Sequence, residues 1–63
     1  MKKYKVIFEI HIDRNRKEFK EVEVEAGNVK IATLRAMAEI GKIEGYSDLF
    51  KNVVSVEEVT ING

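Results

Sequence analysis

The sequence predicts a small α+β domain, a three-stranded sheet in order 2-1-3 with one helix on one face. Three observations predict it. Tyr4 to Ile12 alternates, with Tyr4, Val6, Phe8, Ile10 and Ile12 all apolar, which is the period of a strand whose alternate side chains share a face. Glu18 to Ala26 alternates as well, with Val22, Val24 and Ala26 set between Glu21, Glu23 and Glu25. Between Gly27 and Gly45 the apolar spacing changes to that of a helix.

The first strand is Tyr4–Ile12, and its odd positions include Ile7 and His11 beside Lys5 and Glu9. An edge strand over a single layer has no need of Ile7, so this strand belongs in the centre. Asp13-Arg-Asn-Arg-Lys17 is polar and holds residues that tolerate turn angles. A turn centred on Asn15 sets Phe8 opposite Val22, Val6 opposite Val24 and Lys5 opposite Glu25. The same register sets Glu9 against Glu21, a like-charge pair.

Asn28 is placed to cap a helix. That helix runs from Val29 to Gly41, or on to Glu44 with Gly45 as its stop. Val29, Ala32, Ala36, Ile40 and Ile43 fall on one side, flanked by Thr33 and Met37. Ile31, Leu34 and Ala38 fall on the other. A rotated helix with Leu34 and Met37 at the middle of one broad stripe is the competing arrangement.

Tyr46–Asn52 reads as a connection, with one helical turn at Ser47-Asp-Leu-Phe50. Val53–Ile61 is the third strand, and a bulge at Glu57-Glu58 would bring Val54, Val56, Val59 and Ile61 to one face. A right-handed crossover from the second strand lays the third beside the first. A β-grasp-like arrangement, with the third strand parallel to the first, competes with it.

The totals set further bounds. Sixty-three residues make one domain, and a chain this short buries only about 60% of the surface it exposes when unfolded. Small domains borrow stability from disulfides, a metal or oligomerisation. With no Cys and one His, disulfides are excluded, a structural zinc site is disfavoured and no cofactor is called for. Oligomerisation is the staple left open.

Basic and acidic residues balance at 11 each, which argues against a general phosphate-backbone binder. No segment reads as a signal peptide or a membrane span, so the expected location is the cytoplasm.

Candidate chemistry is sparse, and no catalytic residue is assigned. His11 has no nucleophile at a recognised spacing and only Asp13 near it, which reads as a surface or interface histidine. Glu21, Glu23 and Glu25 lie roughly 7 Å apart in steps along a strand, too far to hold one metal ion without further ligands. They read as protection of an edge strand. Arg14, Arg16, Lys17 and Lys20 form a basic hairpin tip with no glycine cradle or stacking aromatic. Gly41-Lys-Ile-Glu-Gly45 lacks the ending of a phosphate-binding loop.

The unspent residues are apolar. Ile7, His11 and Phe19 share the face away from the helix, and an apolar cluster on an open sheet face marks contact. The bland alternative is that Tyr46, Leu49 and Phe50 fold over them. Ile31, Leu34 and Ala38 form the second candidate surface. The expected role is a non-enzymatic interaction protein that binds itself, as a homodimer or larger oligomer, or another protein.

The Met-Lys-Lys-Tyr start, the short hairpin, the Glu-Val-Glu-Val-Glu-Ala strand and the alanine-bearing helix resemble small phage and prophage accessory proteins. That resemblance implies a chain expressed alone that binds a host or phage protein. It also makes an inhibitor or sequestering protein, acting on a host enzyme or a small nucleotide ligand, the alternative role. The resemblance rests on organisation alone and transfers no functional residue.

Overall fold

A computed structural model describes residues 1–43, 45, 46 and 48–59. The elements run β1 (Lys2–His11), β2 (Lys17–Ala26), α1 (Val29–Gly41) and β3 (Phe50–Val59). The sheet order is β2-β1-β3. Both neighbours are antiparallel to β1, so the parallel β-grasp-like alternative is excluded.

The centre of the sheet falls where the apolar content is highest. Tyr4, Val6, Phe8 and Ile10 of β1 are all buried, together with Val24, Ala26, Ala32, Ala36 and Ile40. We call this side of the sheet inner. Every even position of β1 from Tyr4 to Ile10 lies on it. Ile12, Val22, Ile43, Tyr46, Leu49 and Val56 are partly buried against the same core.

The hairpin register differs from the expected one by two residues. Tyr4 pairs with Val24, Val6 with Val22 and Glu9 with Phe19. A two-residue slip keeps every side chain on its expected face, but it removes the Glu9–Glu21 like-charge pair. The turn explains the choice. Asn15 N–H donates to Asp13 Oδ1 at 2.9 Å and Arg16 Nε donates to Asp13 Oδ2 at 2.7 Å. Ile12 N–H closes on the Arg16 carbonyl at 3.0 Å. The turn therefore centres one residue earlier than Asn15. These hydrogen bonds, first Asn15 N–H and then Arg16, hold the Asp13 carboxyl below its ordinary pKa.

Asn28 caps α1 as expected, its Oδ1 accepting from Ile31 N–H at 2.9 Å. Ala32 and Ala36 place the small side of the helix against the sheet, so the backbone can approach closely. Leu34 and Met37 are exposed, which excludes the rotated helix. Val29, expected inside, is exposed as well, because the helix has only just left β2 at that point. The two-residue link from Ala26 keeps α1 over β2 more than over β1 or β3. Arg35 fixes it there by donating to the Glu25 carbonyl at 2.7 Å.

The third strand corrects two expectations. It begins at Phe50 rather than Val53. Its irregularity lies where Ile7 pairs with Ser55 and Phe8 with Val53, which leaves Val54 as the extra residue. The bulge is therefore at Val54 and not at Glu57-Glu58. Val56 faces inward opposite Val6, while Val59, opposite Lys3, faces outward. Ile61 and the expected capping role of Ser47 lie outside the described residues, as does Glu44.

Candidate functional site

The outer face of the sheet is built from the odd positions of β1 and their cross-strand partners. From one end to the other, β1 contributes Lys3, Lys5, Ile7, Glu9 and His11. Their β2 partners are Glu25, Glu23, Glu21, Phe19 and Lys17. Their β3 partners are Val59, Glu57, Ser55, Asn52 and Phe50. One half of this face is a charge lattice. Lys3 reaches Glu23 and Lys5 reaches Glu21, each at 3.7 Å. Exposed pairs of this kind contribute about 0–1 kcal/mol each, so they fix the pattern of the surface more than its stability.

The other half, towards the hairpin turn, is different. Phe19 is 63% exposed and Phe50 65% exposed. They stand on opposite sides of the Glu9–His11 column. The His11 ring meets Phe50 edge-on, with centroids 5.4 Å apart and planes at 69°. Its Nε2 is shielded from solvent and lies 2.8 Å from Glu9 Oε1. That short contact is not aligned as a hydrogen bond, so Nε2 has no hydrogen-bond partner among the described residues. The contact becomes an ion pair only when the imidazole is protonated. Lys17 Nζ approaches the same Glu9 oxygen at 3.8 Å.

Ile7, His11 and Phe19 therefore share one face as the alternation predicts, but not as a contiguous trio. Phe19 lies across from Glu9 rather than His11. The aromatic neighbour of His11 is Phe50, which the sequence reading had placed in the connection. The described residues of the connection do not cover this surface. Ile43, Tyr46 and Leu49 pack on the core side. Tyr46 Oη donates to Glu18 Oε2 at 2.8 Å, and this bond, with the neighbouring negative charge, pushes the phenol above its ordinary pKa. Lys51 Nζ donates to the Tyr46 and Leu49 carbonyls, at 2.6 Å each, and fastens the segment inward.

The second candidate surface is the outer side of α1. Leu34 is 57% exposed, and Ile31, Met37 and Ala38 are exposed around it. Polar side chains interrupt this surface, and Lys42 pairs with Glu39 at 3.3 Å nearby.

No family model, curated protein or solved structure matches this chain. The chemistry of the described residues must therefore speak for itself. Among them, no three His, Asp or Glu side chains gather as a metal site. No helix among the described residues is long and apolar enough to cross a membrane. The basic hairpin tip forms a hollow of about 140 Å³ lined by His11 and residues 13–17. Drug-sized ligands occupy roughly 300–1,000 Å³, and Arg16 is already bound to Asp13. A larger depression of about 410 Å³ lies between α1 and β2. It is open, and its Arg35 already binds the Glu25 carbonyl.

Proposed function

We propose that this chain is a non-enzymatic interaction protein that associates with itself, with the aromatic half of the outer sheet face as its main contact surface. The observation that carries this reading is the pair Phe19 and Phe50. Both are more than half exposed on one face, while the segment that could have covered them packs on the other. Burying a large apolar side chain contributes about 1.5–3 kcal/mol, so two aromatics and Ile7 per copy can add what a thin core lacks. Glu9 and His11 beneath them offer a polar anchor for orientation.

The helix surface around Ile31, Leu34 and Ala38 competes for the role. Single substitutions separate the two. Molar mass by light scattering should fall for Phe19→Asp and stay unchanged for Leu34→Asp. The reverse pattern would move the contact to the helix. An unaltered protein that is monomeric throughout would point both surfaces at a foreign protein, the kind of partner that a phage-type accessory protein implies.

A further inference from the structure

The two edges of the sheet are unlike each other. On β2, two-fold pairing with a second copy meets like charges at its centre. The central registers set Lys20 or Glu21 against itself, or Glu21 against Glu23. On β3 the middle of the strand, Asn52-Val-Val-Ser-Val56, carries no charge. Among the described residues it is an edge, hydrogen-bonded on one side only to β1. Its inner side is thinly covered because α1 sits towards β2. Val53, opposite Phe8, is 39% exposed, and the extra residue Val54 is 53% exposed.

We propose that β3 pairs edge to edge with the β3 of a second copy, antiparallel about a two-fold axis between Val54 and Ser55, to give a continuous six-stranded sheet. The bulge selects this register. In an unbulged strand, faces alternate strictly, so a two-fold axis normal to the sheet must set a residue opposite its own copy. Val54 shifts the alternation by one, which leaves Lys51 and Val53 inward on one side of it and Val56 and Glu58 inward on the other. The register about Val54 and Ser55 then matches faces at every pair from Val53 with Val56 to Phe50 with Val59. Val53 meets Val56 on the inner face, and Phe50 meets Val59 on the outer face. Asn52 meets Glu57, and Lys51 meets Glu58. The Lys51 ammonium has spent two of its three donors on the Tyr46 and Leu49 carbonyls, so one is left for the second copy's Glu58.

This inference rests on the self-association reading and adds a second contact to it: Phe19 lies on β2, at the far side of each copy's sheet, so the edge pairing leaves the outer face free to meet another copy. It also makes use of Phe50, whose aromatic surface gains an apolar neighbour across the new strand pair.

The test exploits a chain without cysteine. In the proposed register, residues 52 and 57 of different copies face each other at about 4.5–5.5 Å between Cα atoms, within disulfide reach. Within one chain they are separated by about 16 Å of strand, and so are the two copies of either residue. Asn52→Cys with Glu57→Cys in one chain should therefore oxidise to a covalent dimer. Either substitution alone should not. Val54→Lys, at an exposed position beside the axis, should lower the molar mass by light scattering and leave the chain folded by circular dichroism. Failure of the double variant to cross-link, or equal cross-linking by the single variants, would overturn the edge pairing. If the unaltered protein is still an oligomer in that case, self-association through a face stands. A monomeric unaltered protein would overturn both.

Discussion

Replacing Phe8 with Ala should remove most of the stability of an isolated chain. Domains are stable by roughly 0.05–0.15 kcal/mol per residue, so 63 residues give about 3–9 kcal/mol on the same scale. Phe8 is among the largest fully buried side chains and sits in the middle of the central strand. It is opposite Val53 on one side, next to Val6 and Ile10 along its own face. Truncating a buried Phe to Ala costs about 3–5 kcal/mol, counting both lost transfer energy and the cavity left behind. The loss is therefore of the same size as the whole. Urea unfolding followed by circular dichroism should show Phe8→Ala largely unfolded without denaturant, or with a midpoint near zero. Phe19→Ala, on the exposed outer face, should change monomer stability by no more than about 0.5 kcal/mol. A Phe8→Ala cost below about 1.5 kcal/mol, far under the expected range, would refute the assignment of the even face of β1 to the core.

Two smaller effects follow from the ends of elements. Asn28→Ala removes the N-cap of α1 and should cost about 1 kcal/mol, lowering Tm by roughly 4–8 °C for a domain of this size, while Asn28→Asp should keep most of the loss away. An unchanged Tm for Asn28→Ala would contradict the cap. The Asp13 turn is pH-dependent in a stated direction. Its folded pKa lies below the ordinary value of 3.8, so the turn's contribution is present above that value and is lost as pH falls through the lowered folded one. The Asn15 amide proton resonance should move with a midpoint below 3.8, and a midpoint above it would contradict the hydrogen bonds to Asp13.

Much of this fold is legible in the sequence because faces are set by parity. The alternation of Tyr4, Val6, Phe8 and Ile10 fixes the inner face of β1, and a strand apolar enough to be central sits in the centre. Asn28 is a cap at the level of residue type. The register of the hairpin is not legible in the same way. Pairing Val6 with Val22 or with Val24 satisfies parity equally, and the choice falls to the Asp13 side chain closing the turn.

The bulge was hidden for a related reason. An extra residue at 57–58 would bring Val54, Val56 and Val59 to one face, but pairing with β1 puts it at Val54 and leaves Val56 inward and Val59 outward. Starting the strand at Val53 instead of Phe50 leaves Phe50 in the connection, and with it the aromatic neighbour of His11. Ile7, His11 and Phe19 were found together because parity alone places them. Their true adjacency depends on register, which parity cannot supply.

Self-association is the claim on which the functional account turns, and the molar mass of the unaltered protein across a concentration series tests it most directly. Light scattering should give a mass that rises from one chain of 7.2 kDa to a defined multiple as concentration increases. A mass that stays at one chain at every concentration would contradict it.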